Sequence, residues 1–174
     1  MNKFFGHLKT ITSHKWNVTK LCFRCGLYKQ GLLHDLSKYS WVEFSAGVKY
    51  FQGNRSPIDK EKEVNGYSNG WLHHKGRNKH HWEYWLDNSY HGVKAVKMPD
   101  TYVYEMWCDR VTASMIYLKD QYDNGSAWKY YYDRKDAILI HEESRKLLET
   151  LLWHTKENGS DETVKLIREL KKKK

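Results

Sequence analysis

The stretch Gly31-Leu32-Leu33-His34-Asp35-Leu36-Ser37-Lys38 decides how this chain is read. A histidine, an aspartate and a lysine interrupt an otherwise apolar turn, and polar atoms that become buried must find partners. A divalent metal ion is such a partner, because imidazole nitrogen and carboxylate oxygen suit the same first-row ions. Further candidate ligands flank the stretch: His14 before it, His74, His80 and His81 after it, and Asp109 further on. Lys38 follows Asp35 at close to one helical turn, so its ammonium is expected beside any ion the aspartate holds. There it would bind or polarise a phosphate oxygen. The plain alternative for Lys38 is an ordinary solvated lysine.

Working outward, the pattern is helical. Between Phe4 and Cys25 apolar residues recur at Phe4, Leu8, Ile11, Val18, Cys22 and Cys25. His14 falls on that stripe and is expected to point inward. Gly26 and Gly31 bracket an expected short connection to a helix carrying His34 and Asp35. Helices are also expected over Trp41–Phe51, from Ser56-Pro57 to Asn65, and from Pro99 to Tyr122. The remaining ones are expected over Ala127–Arg134, Ala137–His154 and Glu162–Leu170, with a join around Gly159-Ser160. After Pro99 a face of Tyr102, Met106, Ala113 and Ile116 carries Asp109. An inward carboxylate without a partner is costly, whereas a single inward histidine is commonplace.

The densest polar and aromatic stretch is Trp71-Leu72-His73-His74-Lys75-Gly76-Arg77-Asn78-Lys79-His80-His81-Trp82-Glu83-Tyr84-Trp85. As one helix it would align His74, Asn78, His81 and Trp85 on one face, and His73, Arg77, His80 and Tyr84 on another. A break at Gly76 would instead let His74, His80 and His81 converge. His74 is the first choice as ligand, then His81 and His80; His73 is left as a surface or hydrogen-bonding residue. Arg77 and Lys75 are candidates for a second wall of a phosphate pocket. Trp71, Trp82, Tyr84 and Trp85 either stack on a ligand ring or pack the helices around the site. Asp87 to Lys97 is irregular and is expected to be a functional loop or lid. His7, His91, His141 and His154 show nothing above background.

The chain of 174 residues is long enough for one core and short for two domains. With no repeat, linker or useful strand alternation, the reading is a single all-α domain over 1–174, its core about 4–122 and its C-terminal helices 127–170. The 8 Trp and 13 Tyr exclude a disordered chain. No apolar run reaches the roughly 18 residues of a membrane span, and the segment from Met1 to His7 lacks the apolar region of a secretory signal. Cys22 and Cys25 form C-x-x-C, which alone suits a redox pair or half a zinc knuckle; lying in a helical pattern, with Cys108 the odd third, they are read as buried structural thiols. A cytoplasmic location is the default. The net charge of +9 favours anionic partners, although part of it sits in Lys171 to Lys174, expected to be a frayed tail.

The order His14, His34-Asp35-x-x-Lys38, His74, His80-His81, Asp109 resembles the HD superfamily of His-Asp metal-dependent phosphohydrolases. That resemblance implies an all-helical pocket in which His14, His34, Asp35 and Asp109 hold one divalent ion. It further implies that His74, His80 and His81 complete a second site with Asp35 bridging, as in branches with two or more ions. The His-Asp-x-x-Lys form is similar to the cyclic-dinucleotide phosphodiesterase branch, where the lysine meets phosphate. No Gly-Tyr-Pro motif follows His80-His81 here, and His74 stands much closer to His80 than in that branch, so its substrate does not carry over. The strings Gly66-Tyr67-Ser68, Trp71 to Asn78 and His80 to Trp85 also look like a small uncharacterised bacterial and phage family, through about Asp109.

The resulting expectation is a metal-dependent phosphohydrolase of HD type. It would hold one or two divalent ions (Fe, Mn, Co or Zn), act on a small phosphorylated, nucleotide-like substrate, and use Asp35, Lys38 and Arg77 in catalysis. One alternative is an HD-like di-iron oxygenase. Another is a non-catalytic nucleotide- or nucleic-acid-binding module, which predicts steeply salt-dependent binding.

Overall fold

The first helix, α1 (Lys3–Arg24), opens on Asn2, whose side chain accepts the Phe4 N–H and so satisfies an amide that the helix itself leaves free. The computed structural model describes residues 2–53 and 55–173. Met1 and Lys174, the ends of the targeting and tail segments considered above, lie outside the described residues. α1 buries Ile11, His14, Val18 and Cys22 along the expected stripe. Its first turns depart from that stripe, burying Gly6 and His7 while Phe4 stays exposed.

Four short helices follow: α2 (Tyr28–Leu33), α3 (Trp41–Lys49), α4 (Pro57–Asn65) and α5 (Asn69–Lys75). Ser40, Ser56 and Ser68 cap the last three, each accepting a backbone N–H of the first turn, and Gly66 ends α4 in the left-handed region. Next come a two-stranded antiparallel hairpin, β1 (Leu86–Ser89) and β2 (Gly92–Ala95), then α6 (Asp100–Leu118), α7 (Ser126–Tyr132) and α8 (Glu142–Lys172). The architecture is all-α apart from that hairpin. No helix among the described residues is long and apolar enough to cross a membrane.

Several expectations are corrected. His34 and Asp35 are not on a helix: α2 stops at Leu33, His34 is its C-cap, Asp35 has φ +53°, and a 3₁₀ turn carries Leu36–Tyr39. The physical reason lies in geometry. Adjacent helical residues point about 100° apart, whereas this turn sends both side chains to one focus. Aspartate tolerates the left-handed region better than most residues, at a cost of about 1–3 kcal/mol that recurs at functional sites. Gly31 does not bracket a connection but lies inside α2, where an added Cβ would stand 3.0 Å from the Cys22 Cβ; its absence lets α2 lie against α1.

The expected irregular loop at Asp87 to Lys97 is the β1–β2 hairpin, with Tyr90 and His91 exposed at its tip. Four-residue strands are too short to display a period-two pattern. The helix expected from Ala137 starts at Glu142, where the His141 side chain accepts the Glu143 N–H. Nor is the lysine tail wholly frayed, since Lys171 Nζ donates to the Cys25 and Gly26 carbonyls.

α6 packs against both α1 and α8. Val103, Tyr104, Met106, Trp107, Cys108 and Val111 are all buried, so its sides are nearly all covered, and Tyr102, Ala113 and Ile116 prove only half-buried. Trp107 Nε1 donates to Thr155 Oγ1 at 2.8 Å, locking α6 to α8. Gly159 (φ +84°) breaks α8 into two segments, and Thr155 and Thr163 hydrogen-bond across the break at 3.0 Å. Cys22, Cys25 and Cys108 are free and buried in this core, in accord with structural thiols.

Candidate metal centre

Four parts of the chain deliver polar side chains to one focus. α1 supplies His14, the turn after α2 supplies His34 and Asp35, α5 and the turn after it supply His74, His80 and His81, and α6 supplies Asp109. The break at Gly76 is what brings the third group round. α5 ends there, and Asn78 Nδ2 fastens the turn by donating to the His74 carbonyl (2.8 Å) and to Ser37 Oγ (2.7 Å).

The focus has two halves that meet at Asp35. Its Oδ2 lies 3.3 Å from His34 Nε2 and 3.6 Å from His14 Nε2, and Asp109 Oδ1 lies 2.9 Å from His14 Nε2 and 3.7 Å from His34 Nε2. Its Oδ1 faces the other way, 3.3 Å from His74 Nε2 and 3.4 Å from His80 Nε2, while His74 and His81 bring their Nε2 atoms within 2.9 Å. In each half the four ligand atoms lie within 4.8 Å of one another. Ligands held about 2.0–2.2 Å from a first-row ion are spaced in that range. The Nε2 atoms of His14, His34 and His80 and Oδ1 of Asp35 are buried with no hydrogen-bond partner. Converging lone pairs left unsatisfied in this way are the chemistry of a cation site.

Two carboxylates behind the rings fix which nitrogen faces inward. Glu105 Oε1 takes His34 Nδ1 at 2.9 Å and His80 Nδ1 at 3.1 Å. Glu43 takes His73 Nδ1 at 2.6 Å and, through its other oxygen, His74 Nδ1 at 2.7 Å. With protons assigned to Nδ1 by these acceptors, Nε2 is left as the ligand atom in His34, His74 and His80, the usual outer-shell arrangement of metal-bound histidines. Trp71 stacks on His74 and meets His81 edge-on, so it packs the ligands. Trp82 and Trp85 lie against the core.

The electrostatics are those of an anionic hole. Burial alone would raise the carboxyls of Asp35 and Asp109, but the His34 and Lys38 charges around Asp35, and the His14 and His34 rings beside Asp109, hold both well below the carboxylate range. Burial likewise opposes charge on His34, yet Asp35, Asp109 and Glu105 outweigh it and raise that ring. Burial, with the Lys38 charge, lowers His14; burial, with the neighbouring His80 and His74, lowers His81 well below the imidazole range. Both are therefore neutral, the form that ligates.

The Lys38 ammonium touches Asp35 Oδ2 and is held in its charged form by Asp35 and Asp109 against the cost of burial. Arg77 is not brought to the focus. Its side chain is exposed, and its guanidinium donates to the His73 carbonyl. Glu43 and Glu105 escape the sequence reading, and so does His7. For Glu105 a signal existed: it precedes Asp109 by four residues, which puts two acids on one face of a buried helix.

The sequence pattern of DUF5662, a family of unknown function, matches residues 3–154. The chain belongs to this family. No curated protein and no solved structure matches it. The part that matches DUF5662 contains every residue of both halves of the focus, together with Glu43, Glu105 and Lys38, and ends within α8 before the break at Gly159. Of this DUF5662 chain, residues 1–2 and 155–174 fall outside the match, the latter including the second segment of α8.

Proposed function

We propose that this protein is a metal-dependent phosphohydrolase of the HD type, holding divalent ions between His14, His34, Asp35 and Asp109 on one side and Asp35, His74, His80 and His81 on the other. The observation that supports it most is Asp35 turning each of its two oxygens to a different set of ligand atoms, with Nε2 of His14 and His34 on one side and Nε2 of His80 on the other buried without a hydrogen-bond partner. A bridging carboxylate of this kind is what two-ion hydrolytic sites use. Iron, manganese, cobalt and zinc all suit the mixed imidazole and carboxylate ligation.

When bound, such ions supply a water of lowered pKa and neutralise charge on phosphoryl oxygens. The chain's own residues then have distinct tasks. Asp35 and Asp109 provide the negative charge that retains the cations. Glu43 and Glu105 hold the rings in the ligating orientation. Lys38, charged and beside Asp35, is placed to take a non-bridging phosphate oxygen and to stabilise the charge that grows on it. Arg77, exposed and turned to a backbone carbonyl, has no part in this account.

The test is a screen of phosphomonoesters and phosphodiesters with protein supplied with manganese, run beside Asp35→Ala. Hydrolysis by the wild type and its loss in the variant are expected. Oxygen-dependent turnover with bound iron, and no ester hydrolysis, would overturn the hydrolase reading in favour of an oxygenase.

A further inference from the structure

A cavity of about 80 Å³ adjoins the centre. Its walls include His7, Lys38, Glu43, Gly47, Glu61 and Tyr117, drawn from α1, the 3₁₀ turn, α3, α4 and α6. Two of these residues also belong to the surroundings of the centre, since Lys38 touches Asp35 and Glu43 holds His74. The cavity and the centre therefore share a wall, and a group seated in the cavity would have its near end at Lys38.

The polar lining is unusual for so small a space. His7 is 5% exposed, and its Nδ1 is buried without a hydrogen-bond partner. Glu61 is 4% exposed; its carboxylate accepts from Ser68 Oγ and the Asn69 N–H and pairs with no cation among the described residues. A buried carboxylate without a cation and a buried imidazole nitrogen without a partner are both costly in an apolar wall. Each gains from a ligand that brings hydrogen-bond donors. Two glycines admit these side chains to the wall. A Cβ at Gly47 would stand 2.1 Å from His7 Nε2, and one at Gly70 would stand 3.3 Å from Glu61 Oε2.

We infer that this cavity is the subsite for the alcohol portion of the substrate, and that this portion is a short, non-anionic chain bearing hydroxyl or ammonium donors. The inference rests on the hydrolase reading and narrows it. An engineered cavity of about 150 Å³ holds benzene, so a space near half that size takes only a few heavy atoms and no nucleobase. Glu43 and Glu61 disfavour a second anionic group there, while Lys38 stands at the edge where the phosphate would begin. On this inference a small polyol or amino-alcohol phosphate is preferred to the nucleotide-like substrate expected from the sequence.

The experiment titrates the intact, manganese-free protein with glycerol phosphate, ethanolamine phosphate and adenosine monophosphate. The His7 ring is followed by NMR, and hydrolysis of the same esters is measured with manganese present. The two small esters are expected to shift the His7 ring and adenosine monophosphate to leave it in place; the stronger of the two tells a polyol from an amino alcohol. Gly70→Ala and Glu61→Gln are each expected to weaken binding and raise KM about tenfold with metal content unchanged, the scale of one lost or obstructed polar contact. Small esters that shift His7 without being hydrolysed would uphold the subsite and remove the hydrolase reading. Hydrolysis with an unmoved His7 ring and unaltered KM in both variants, or a preference for adenosine monophosphate, would overturn the subsite and leave the hydrolase reading standing. Neither binding nor hydrolysis of any ester would overturn both.

Discussion

Glu105 Oε1 lies 2.9 Å from His34 Nδ1, and the same oxygen lies 3.1 Å from His80 Nδ1. One carboxylate thus orients a ring in each half of the centre, because His34 faces Asp35 Oδ2 and His80 faces Asp35 Oδ1. Glu43, by contrast, reaches only the half that contains His74.

This asymmetry predicts different losses from two conservative changes. Glu105→Gln is expected to weaken both ion sites by about 10–100-fold, the usual effect of removing an outer-shell partner, whereas Glu43→Gln weakens only one. Competition with a chromophoric chelator measures both. Equal effects on the two sites in Glu43→Gln would contradict the assignment.

Ions that bind only the folded chain must stabilise it. Manganese or zinc at about one hundred times its dissociation constant should add roughly 2.7 kcal/mol, raising Tm, with full reversal by chelator. Asp35→Ala is expected to abolish the increase. A Tm that rises equally in the variant would mean that the ions bind elsewhere.

Acid should destabilise the protein through His7. Burial, with the Lys38 charge, lowers the ring from 6.5 to about 4, so the unfolded chain takes up a proton between those values while the folded chain does not. Stability is complete above 6.5 and falls as the pH drops towards 4, by up to about 3 kcal/mol. Denaturant melts of wild type and His7→Phe across this window read the difference, and the variant is expected to show the shallower slope.

The link between α6 and α8 carries a separate prediction. Trp107 is fully buried and donates to Thr155. Trp107→Ala should cost about 3–5 kcal/mol through lost burial and a residual void. Thr155→Val should cost about 1–3 kcal/mol by stranding the indole N–H. Urea titration measures both, and a loss under 1 kcal/mol for Trp107→Ala would show that the core collapses around the gap.

Much of this was legible in the sequence, for identifiable reasons. The stripe through Ile11, His14, Val18 and Cys22 is a helical period, and Ser56-Pro57 with Gly66 are start and stop signals, so α1 and α4 lie where they were expected. Gly76 marked the break that gathers His74, His80 and His81. The αL turn at Asp35 was hidden because a left-handed residue in a short apolar segment leaves no periodicity. His7 escaped because its burial comes from the absence of a side chain on Gly47, a relation between helices that neither segment displays alone. Glu43 escaped for a similar reason, since its partners His73 and His74 belong to another helix.

The central claim is that Asp35 divides its two oxygens between two ion sites. Elemental analysis of purified wild type, His14→Ala, His81→Ala and Asp35→Ala, each equilibrated with manganese, iron or zinc, tests it most directly. About two equivalents are expected in the wild type, about one in each histidine variant and close to none in Asp35→Ala, because only the aspartate serves both halves. Wild-type protein without bound ion, or Asp35→Ala retaining the full wild-type content, would contradict it.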